Sequence, residues 1–175
     1  MGTLSLDIES AIQDAIDCSI RETFSMMIGE ELEFLGTRPF HQAVLGEPSL
    51  QPQADQNESL EEITVVVGLS GGLQGSVSVC LDRQSALLWT QRLIDHETDR
   101  FDQTVIDAIG ELGNMVVGGT KGRLEDFTLT IGLPCVLLAG PSRLAFPSSC
   151  IPTQLEYRVD GHCMNVFLSL VKCNL

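Results

Sequence analysis

The hydrophobic positions between residues 103 and 121 recur with the period of an α-helix. At about 100° per residue, an i, i+4, i+7, i+11 series falls on one narrow stripe of such a helix. The series consists of Val105, Ile109, Leu112 and Val116. Asp102 is a suitable N-cap ahead of the segment, and glycines place its end somewhere within 117–123. The pattern predicts a long helix with this stripe in the core.

The opposite stripe of the same helix is polar. Its members are Asp107, Glu111, Asn114, Gly118 and Lys121. A carboxylate and a carboxamide therefore lie one turn apart, and the glycine beyond them lets a partner approach closely. A solvated helix face is one interpretation of this stripe. A functional site is the other, because a mid-helix Asn and three glycines all weaken the helix and suggest a reason beyond packing.

Periodicity also predicts the elements that precede this helix. In order, they are a long helix over 5–29 stopped by Gly29, an irregular strand within 32–45, a mobile loop over 46–62, a hairpin of strands 63–69 and 73–81 around Gly71-Gly72, and a second amphipathic helix over 83–95. The run 63–81 is uncharged, but its glycines and hydroxyl residues favour the hairpin over a membrane span.

Four strands are predicted beyond the central helix. They are 128–131, 135–139, 150–159 and 162–171, with Pro134 and Pro141 bounding the second and a turn at Asp160-Gly161 joining the last two.

The chain thus repeats itself once, as helix, strands and a glycine-centred hairpin on either side of a short helix. Aligning Met26 with Met115 pairs four further positions: Cys18 with Asp107, Glu22 with Glu111, Ser25 with Asn114 and Gly29 with Gly118. The expected fold is a two-layer α/β domain of the α+β kind, spanning 1–175. An antiparallel sheet is covered by two long helices that a pseudo-twofold relates.

Composition narrows the function classes. The 175 residues are 43% hydrophobic, which is enough for a stable core without disulfides or a structural metal. The net charge of −14 argues against nucleic acid as a partner. The six cysteines form no Cys-x-x-Cys pair, so free buried thiols are expected rather than a metal or redox site. The acidic N-terminus is unlike a secretory signal, and we expect a cytoplasmic protein that does not enter a membrane. His41, His96 and His162 form no evident catalytic triad.

With these residues in place, the sequence resembles the CheX and CheC chemotaxis phosphatases. Their signature is an Asp or Ser, then Glu-x-x-Asn on a long helix, then a Pro after the following loop. Asp107, Glu111, Asn114 and Pro134 match it, although the loop before Pro134 is a little short. The first repeat carries Ser25 in place of the Asn, so the resemblance implies one active site per chain, as in CheX.

The resemblance implies a phosphatase that removes the aspartyl phosphate of a phosphorylated CheY-like response regulator. Asn114 would position the attacking water and Glu111 would pair with the regulator's lysine, while Asp107, Gly118 and Lys121 would contact the partner. No cofactor is expected on this chain, because the regulator brings Mg²⁺. A homodimer is expected too, partly from the apolar strand 164–171. A module that binds the regulator without hydrolysis remains the alternative, and the sequence names neither the regulator nor the pathway.

Overall fold

The structure is a computed structural model that describes residues 6–40, 62–146 and 150–173. The loop predicted over 46–62 lies outside these residues except for Glu62, which begins a strand. The elements in chain order are α1 (Leu6–Thr23), β1 (Glu33–Pro39), β2 (Glu62–Ser70), β3 (Leu73–Asp82), α2 (Arg83–Ile94), α3 (Gln103–Arg123), β4 (Thr130–Leu137), β5 (Thr153–Val159) and β6 (His162–Lys172).

The six strands form one sheet in the order β1-β5-β6-β3-β2-β4, and every neighbouring pair is antiparallel. Each half of the chain supplies a long helix and three strands. Exchanging β1 with β4, β2 with β5 and β3 with β6 reproduces the same order in reverse. The sheet therefore has the pseudo-twofold that the repeated pattern predicts, with its axis between β3 and β6, and the predicted fold class is confirmed.

All three helices pack on one face of the sheet and share one core. The predicted stripe of α3 lies in it, with Val105, Ile109, Leu112 and Val116 at most 2% exposed. The alternate positions of β2, β5 and β6 that point to the helices are also buried. Trp89 of α2 and Phe24 close the end of this core, with ring centroids 4.8 Å apart. The side-by-side placement of the two long helices is confirmed.

The ends of the helices follow from local chemistry. The carboxylates of Asp82 and Asp102 accept hydrogen bonds from the amides of Ser85 and Val105, so each is the N-cap of the helix that follows it. The last turn of the first helical segment is a π-helix over Phe24–Ile28, and Gly29 ends it with a φ of 78°.

The strand predictions after α3 need three corrections. Pro134 does not bound a strand but lies inside β4, opposite Val67, so the two predicted strands are one. A proline is tolerated there because β4 is an edge strand, where one side of the backbone needs no ladder partner. The next strand begins at Thr153 rather than at residue 150.

The third correction concerns β6, whose apolar residues 164–171 we expected to pair with a second copy at an open edge of the sheet. It lies between β5 and β3 at the centre of the sheet, and this position explains its hydrophobicity.

The expectation of buried thiols is wrong for three of the cysteines. Cys80 is buried, but Cys18, Cys135 and Cys163 are exposed. Cys135 and Cys163 lie in strands as predicted, at positions that point away from the helices. On that face, among the described residues, the ring of Phe40 packs on Phe167.

Candidate functional site

Glycines let α3 approach its neighbours closely on two sides. A Cβ at Gly113 would lie 2.6 Å from Cγ1 of Val65 in β2, and one at Gly110 would lie 3.3 Å from Cγ2 of Val136 in β4. On the side of α1, the hydroxyl of Ser19 donates a 2.6 Å hydrogen bond to the Val116 carbonyl. The helix is therefore fixed against both the sheet and α1, which makes it a rigid support for the remaining face.

The remaining face carries the polar stripe that the sequence singled out. Asp107, Glu111 and Lys121 are exposed, while Asn114 and Gly118 are half-buried. Asp107 accepts a 2.8 Å hydrogen bond from Nε2 of Gln103. Among the described residues, the side chains of Glu111 and Asn114 have no hydrogen-bond or ion-pair partner. A carboxylate and a carboxamide are thus presented together to solvent, with their hydrogen-bonding capacity unused.

Asn114 points toward the flank of α3 that borders β4. Gly110 faces that strand, and its Cβ position is 4.0 Å from Cγ of Pro134. At about 100° per residue, Asn114 lies roughly 40° around the helix from Gly110, while Glu111 lies roughly 100° away. Asn114 is therefore nearer the strand, in keeping with its partial burial, and Glu111 is nearer open solvent. Pro134 is placed beside α3, as part of a strand rather than of a loop.

The equivalent positions on α1 have diverged. Glu22 forms an ion pair with Arg123 from the last turn of α3, whereas its counterpart Glu111 has no such partner in the described part of the chain. Ser25 lies in the π-helical turn, where side chains three positions apart no longer stack as they do in an α-helix. The first repeat therefore lacks the paired arrangement that the second presents.

Arg123 is the residue of this region that sequence reasoning overlooked. Its guanidinium also donates a 3.0 Å hydrogen bond to the Gly119 carbonyl, and the bonded carboxylate of Glu22 raises the pKa of Arg123. A basic residue in the last turn of a helix is a usual capping feature, so the sequence alone did not single it out. Its partner on α1 becomes visible only once the two helices are placed side by side.

The described histidines do not build a catalytic triad. His96 Nε2 lies 3.0 Å from Oδ2 of Asp102, and His162 Nδ1 lies 3.5 Å from Oδ2 of Asp82. The hydrogen bond from His96 and the amide of Val105 lower the pKa of the Asp102 carboxyl. Each histidine thus supports the N-cap of a helix, while His41 lies outside the described residues.

Neither a metal cluster nor a membrane helix is found within residues 6–40, 62–146 and 150–173. No group of three or more His, Cys, Asp or Glu side chains there could hold a metal ion. None of the helices in those ranges is long and apolar enough to cross a bilayer.

Several solved structures have the same arrangement of helices and sheet. A CheC-like superfamily protein from Shewanella sp. PV-4 superimposes with a TM-score of 0.75 at 17% identity, covering 96% of this chain and 99% of that one. The CheX-CheY-BeF3-Mg+2 complex from Borrelia burgdorferi gives a TM-score of 0.71 at 20% identity, covering 96% and 100%. The chain therefore shares its fold with these two proteins.

Sequence comparison narrows the class to a family. The family described as "Chemotaxis phosphatase CheX" matches residues 63–157, which is more than half of the 175 residues. A protein of Thermotoga maritima named "CheY-P phosphatase CheX" is 28% identical over 119 residues, covering 67% of this chain and 68% of that protein. The chain belongs to the CheX family of chemotaxis phosphatases, and the resemblance seen in its sequence is confirmed.

Proposed function

We propose that this protein hydrolyses the aspartyl phosphate of a CheY-type response regulator, with Glu111 and Asn114 as the residues that act. One observation carries the assignment of residues. The two side chains lie one turn apart on a rigid helix, face solvent together and have no partner among the described residues. Unpaired polar groups of this kind are available to a second protein.

Two similar proteins support the choice of substrate. The Thermotoga maritima relative is named for activity on CheY-P, and the Borrelia burgdorferi structure holds CheX together with CheY, BeF3 and Mg²⁺. The shared family and fold bring the same substrate class to this chain.

The chemistry requires little of the phosphatase. A water oxygen attacks phosphorus in line, the bond from phosphorus to the aspartyl oxygen breaks, and the products are a carboxylate and inorganic phosphate. The amide oxygen of Asn114 accepts a hydrogen bond from the water and holds it on the line of attack. Mg²⁺ and a lysine on the regulator stabilise the developing charge, so this chain contributes geometry rather than a nucleophile or a cofactor.

Glu111 serves to dock the regulator. Its carboxylate pairs with the regulator's lysine, which fixes the register in which Asn114 meets the phosphoryl group. Asp107, one turn before it, and Lys121 near the end of the helix add charged contacts on the same stripe. Gly118 has no atom within 4 Å of its Cβ position, which leaves room for the partner's backbone.

The alternative function is a module that binds the regulator without hydrolysing its phosphate. The two functions are distinguished by measuring release of inorganic phosphate from a panel of phosphorylated CheY-type regulators, with and without this protein. The proposed function predicts accelerated release from at least one regulator. Binding without acceleration for every regulator would establish the alternative instead.

We infer, as a separate proposal, that the chain forms a homodimer through β1. Among the described strands, β1 is at one edge of the sheet, and it carries Phe34 at 44% and Leu35 at 39% exposure. An open edge with apolar side chains invites a second strand. Light scattering at micromolar concentration should give the mass of a dimer, and a Leu35→Lys variant should give a monomer.

A cytoplasmic location remains a prediction.

A further inference from the structure

Met26 is a large hydrophobic residue that the first helical segment presents to solvent. It is 81% exposed and lies in the π-helical turn Phe24–Ile28. Phe24 and Ile28 at the two ends of the turn are buried in the core, so Met26 is held on a fixed support. π-Helical turns are frequent at functional sites, and methionine suits a binding surface because its side chain adapts to the shape of a partner.

Met26 lies on the side of α1 that faces α3. Ser19, Glu22 and Met26 follow an i, i+3, i+7 spacing, which places them on one stripe of a helix. Both earlier members of the stripe contact α3, through the Val116 carbonyl and the guanidinium of Arg123. Because Met26 is nevertheless exposed, it lies at the outer rim of the groove between the two helices.

Along the helices, Met26 lies level with Glu111. The pseudo-twofold passes through the sheet between β3 and β6, so it reverses direction within the helical layer and makes α1 and α3 antiparallel. Ser19 contacts both the Val116 carbonyl and the Cβ position of Gly119. Met26 is seven residues further along α1, which is about 10 Å at 1.5 Å per residue. The same distance back along α3 reaches Glu111, which is exposed between buried neighbours.

Glu111 is also directed toward α1. Gly119 marks the side of α3 that meets α1, because its Cβ position contacts Ser19. At about 100° per residue, Glu111 lies roughly 80° around the helix from Gly119, and Asn114 lies roughly 140° away. Glu111 is therefore on the half of the exposed face next to α1. Packed helices have axes about 8–10 Å apart, so Met26 and Glu111 are neighbours across the groove.

The charges beside Met26 indicate which molecule covers it. On the stretch of α3 from 103 to 115, the charged residues are Asp107 and Glu111, and both are exposed. A second copy of the chain docked on this face would bring acidic surfaces together, and like charges across an interface cost free energy. Under the proposed function, the response regulator instead brings a lysine to Glu111. Charge complementarity therefore favours the regulator over a second copy.

We propose that Met26 is an apolar docking contact for the response regulator, and this inference rests on the proposed function. A regulator whose lysine pairs with Glu111 covers the surface around that carboxylate. An interface of ordinary size buries about 800 Å² per partner and so extends roughly 15 Å from its centre, which includes Met26. The regulator should therefore carry an apolar spot beside its lysine that packs on this methionine.

The test measures binding of a CheY-type regulator loaded with BeF3 and Mg²⁺ by titration calorimetry. Met26→Gln keeps the length of the side chain but makes it polar, and Kd should rise by about five- to tenfold, as for the loss of an apolar interface contact. Met26→Leu should stay within about twofold of the parent. In steady-state hydrolysis of the phosphorylated regulator, Met26→Gln should raise KM and leave kcat within about twofold, because Met26 touches neither the water nor the phosphoryl group.

Ile151→Gln is the matched control. Ile151 is 62% exposed, and nearby Thr153 donates a hydrogen bond to Glu9 in the first turn of α1. Glu9 is separated from Met26 by 17 residues of helix, about 25 Å. Ile151→Gln should therefore bind the regulator with the parental Kd.

The other outcomes separate this inference from the proposed function. A parental Kd for both Met26→Gln and Met26→Asp, with a normal thermal midpoint, overturns the docking role and leaves the phosphatase assignment intact. A parental Kd together with a change of mass in light scattering assigns Met26 to contact between copies and also overturns it. A regulator that binds with the expected dependence on Met26 but is never dephosphorylated supports the docking contact and removes the phosphatase function. Failure of every regulator to bind the parent protein removes both.

Discussion

At the scale of single residues, Glu111 and Asn114 lie one turn apart but act in different steps of the proposed reaction. Glu111→Lys places a cation against the regulator's lysine, and like charges across an interface cost several kcal/mol. Binding of the phosphorylated regulator should therefore be lost in a titration followed by calorimetry. Glu31→Lys makes the same charge change at another exposed position and should bind normally. Equal binding by the Glu111→Lys variant would remove Glu111 from the interface.

Thiol reactivity gives a second residue-level prediction. Burial raises the pKa of the Cys80 thiol to about 12, so at pH 8 almost none of it is the reactive thiolate. Cys18, Cys135 and Cys163 are exposed and should be alkylated rapidly by iodoacetamide, whereas Cys80 should react only after unfolding. Peptide mass spectrometry at timed intervals measures this. Rapid labelling of Cys80 in the native protein would contradict its burial.

At the scale of the helix, some glycines of α3 lie in close contact with a neighbouring element, and others have free space at the Cβ position. A Cβ at Gly113 would meet Val65 at 2.6 Å, whereas one at Gly118 would meet nothing within 4 Å. Gly113→Ala should lower the free energy of unfolding by about 1–3 kcal/mol through overpacking. Gly118→Ala should raise it by roughly 0.5–1 kcal/mol because alanine favours the helix. Urea denaturation measures both, and equal effects of the two would contradict the packing of α3.

Gly118→Ala also tests contact with the partner. A regulator that approaches the backbone at this position should bind the stabilised variant less well, although the variant is better folded. Opposite changes in stability and binding would separate the two effects. Unchanged binding would exclude Gly118 from the interface.

The same elements show what the sequence can predict. The stripe of α3 could be predicted because burial follows the helical period. Asp102 begins α3 as its N-cap and Gly29 ends the first helical segment, as their chemistry requires. Pro134 was misplaced because whether a proline interrupts a strand depends on its being at an edge, which is a property of the whole sheet. The central position of β6 was missed for the same reason. Strand order is set by non-local pairing, which periodicity does not report.

At the scale of the whole molecule, the sheet is symmetric but the candidate site is not. Glu22 is paired with Arg123, and Ser25 lies in a π-helical turn. Replacing Ser25 alone does not rebuild the arrangement of Glu111 and Asn114. A Ser25→Asn, Asn114→Ala double variant should therefore be as inactive in phosphate release as Asn114→Ala. Recovered activity in the double variant would show that the first repeat still holds a working site.

The repeat itself could be predicted from sequence, because the alignment of Met26 with Met115 placed Glu22 and Ser25 opposite Glu111 and Asn114. The pairing of Glu22 with Arg123 could not, since it joins residues that are about 100 positions apart. Contacts across the pseudo-twofold axis between the two halves can be identified only when the fold is known.

The central claim is that Asn114 holds the water that hydrolyses the phosphorylated regulator. The most direct measurement is the rate of phosphate release with Asn114→Ala beside a binding titration of the same variant. Removal of one preorganised group typically lowers the rate by roughly 10²–10³, so turnover should be nearly abolished while binding is kept. An Asn114→Ala protein that hydrolyses the phosphorylated regulator at the parental rate would contradict the account.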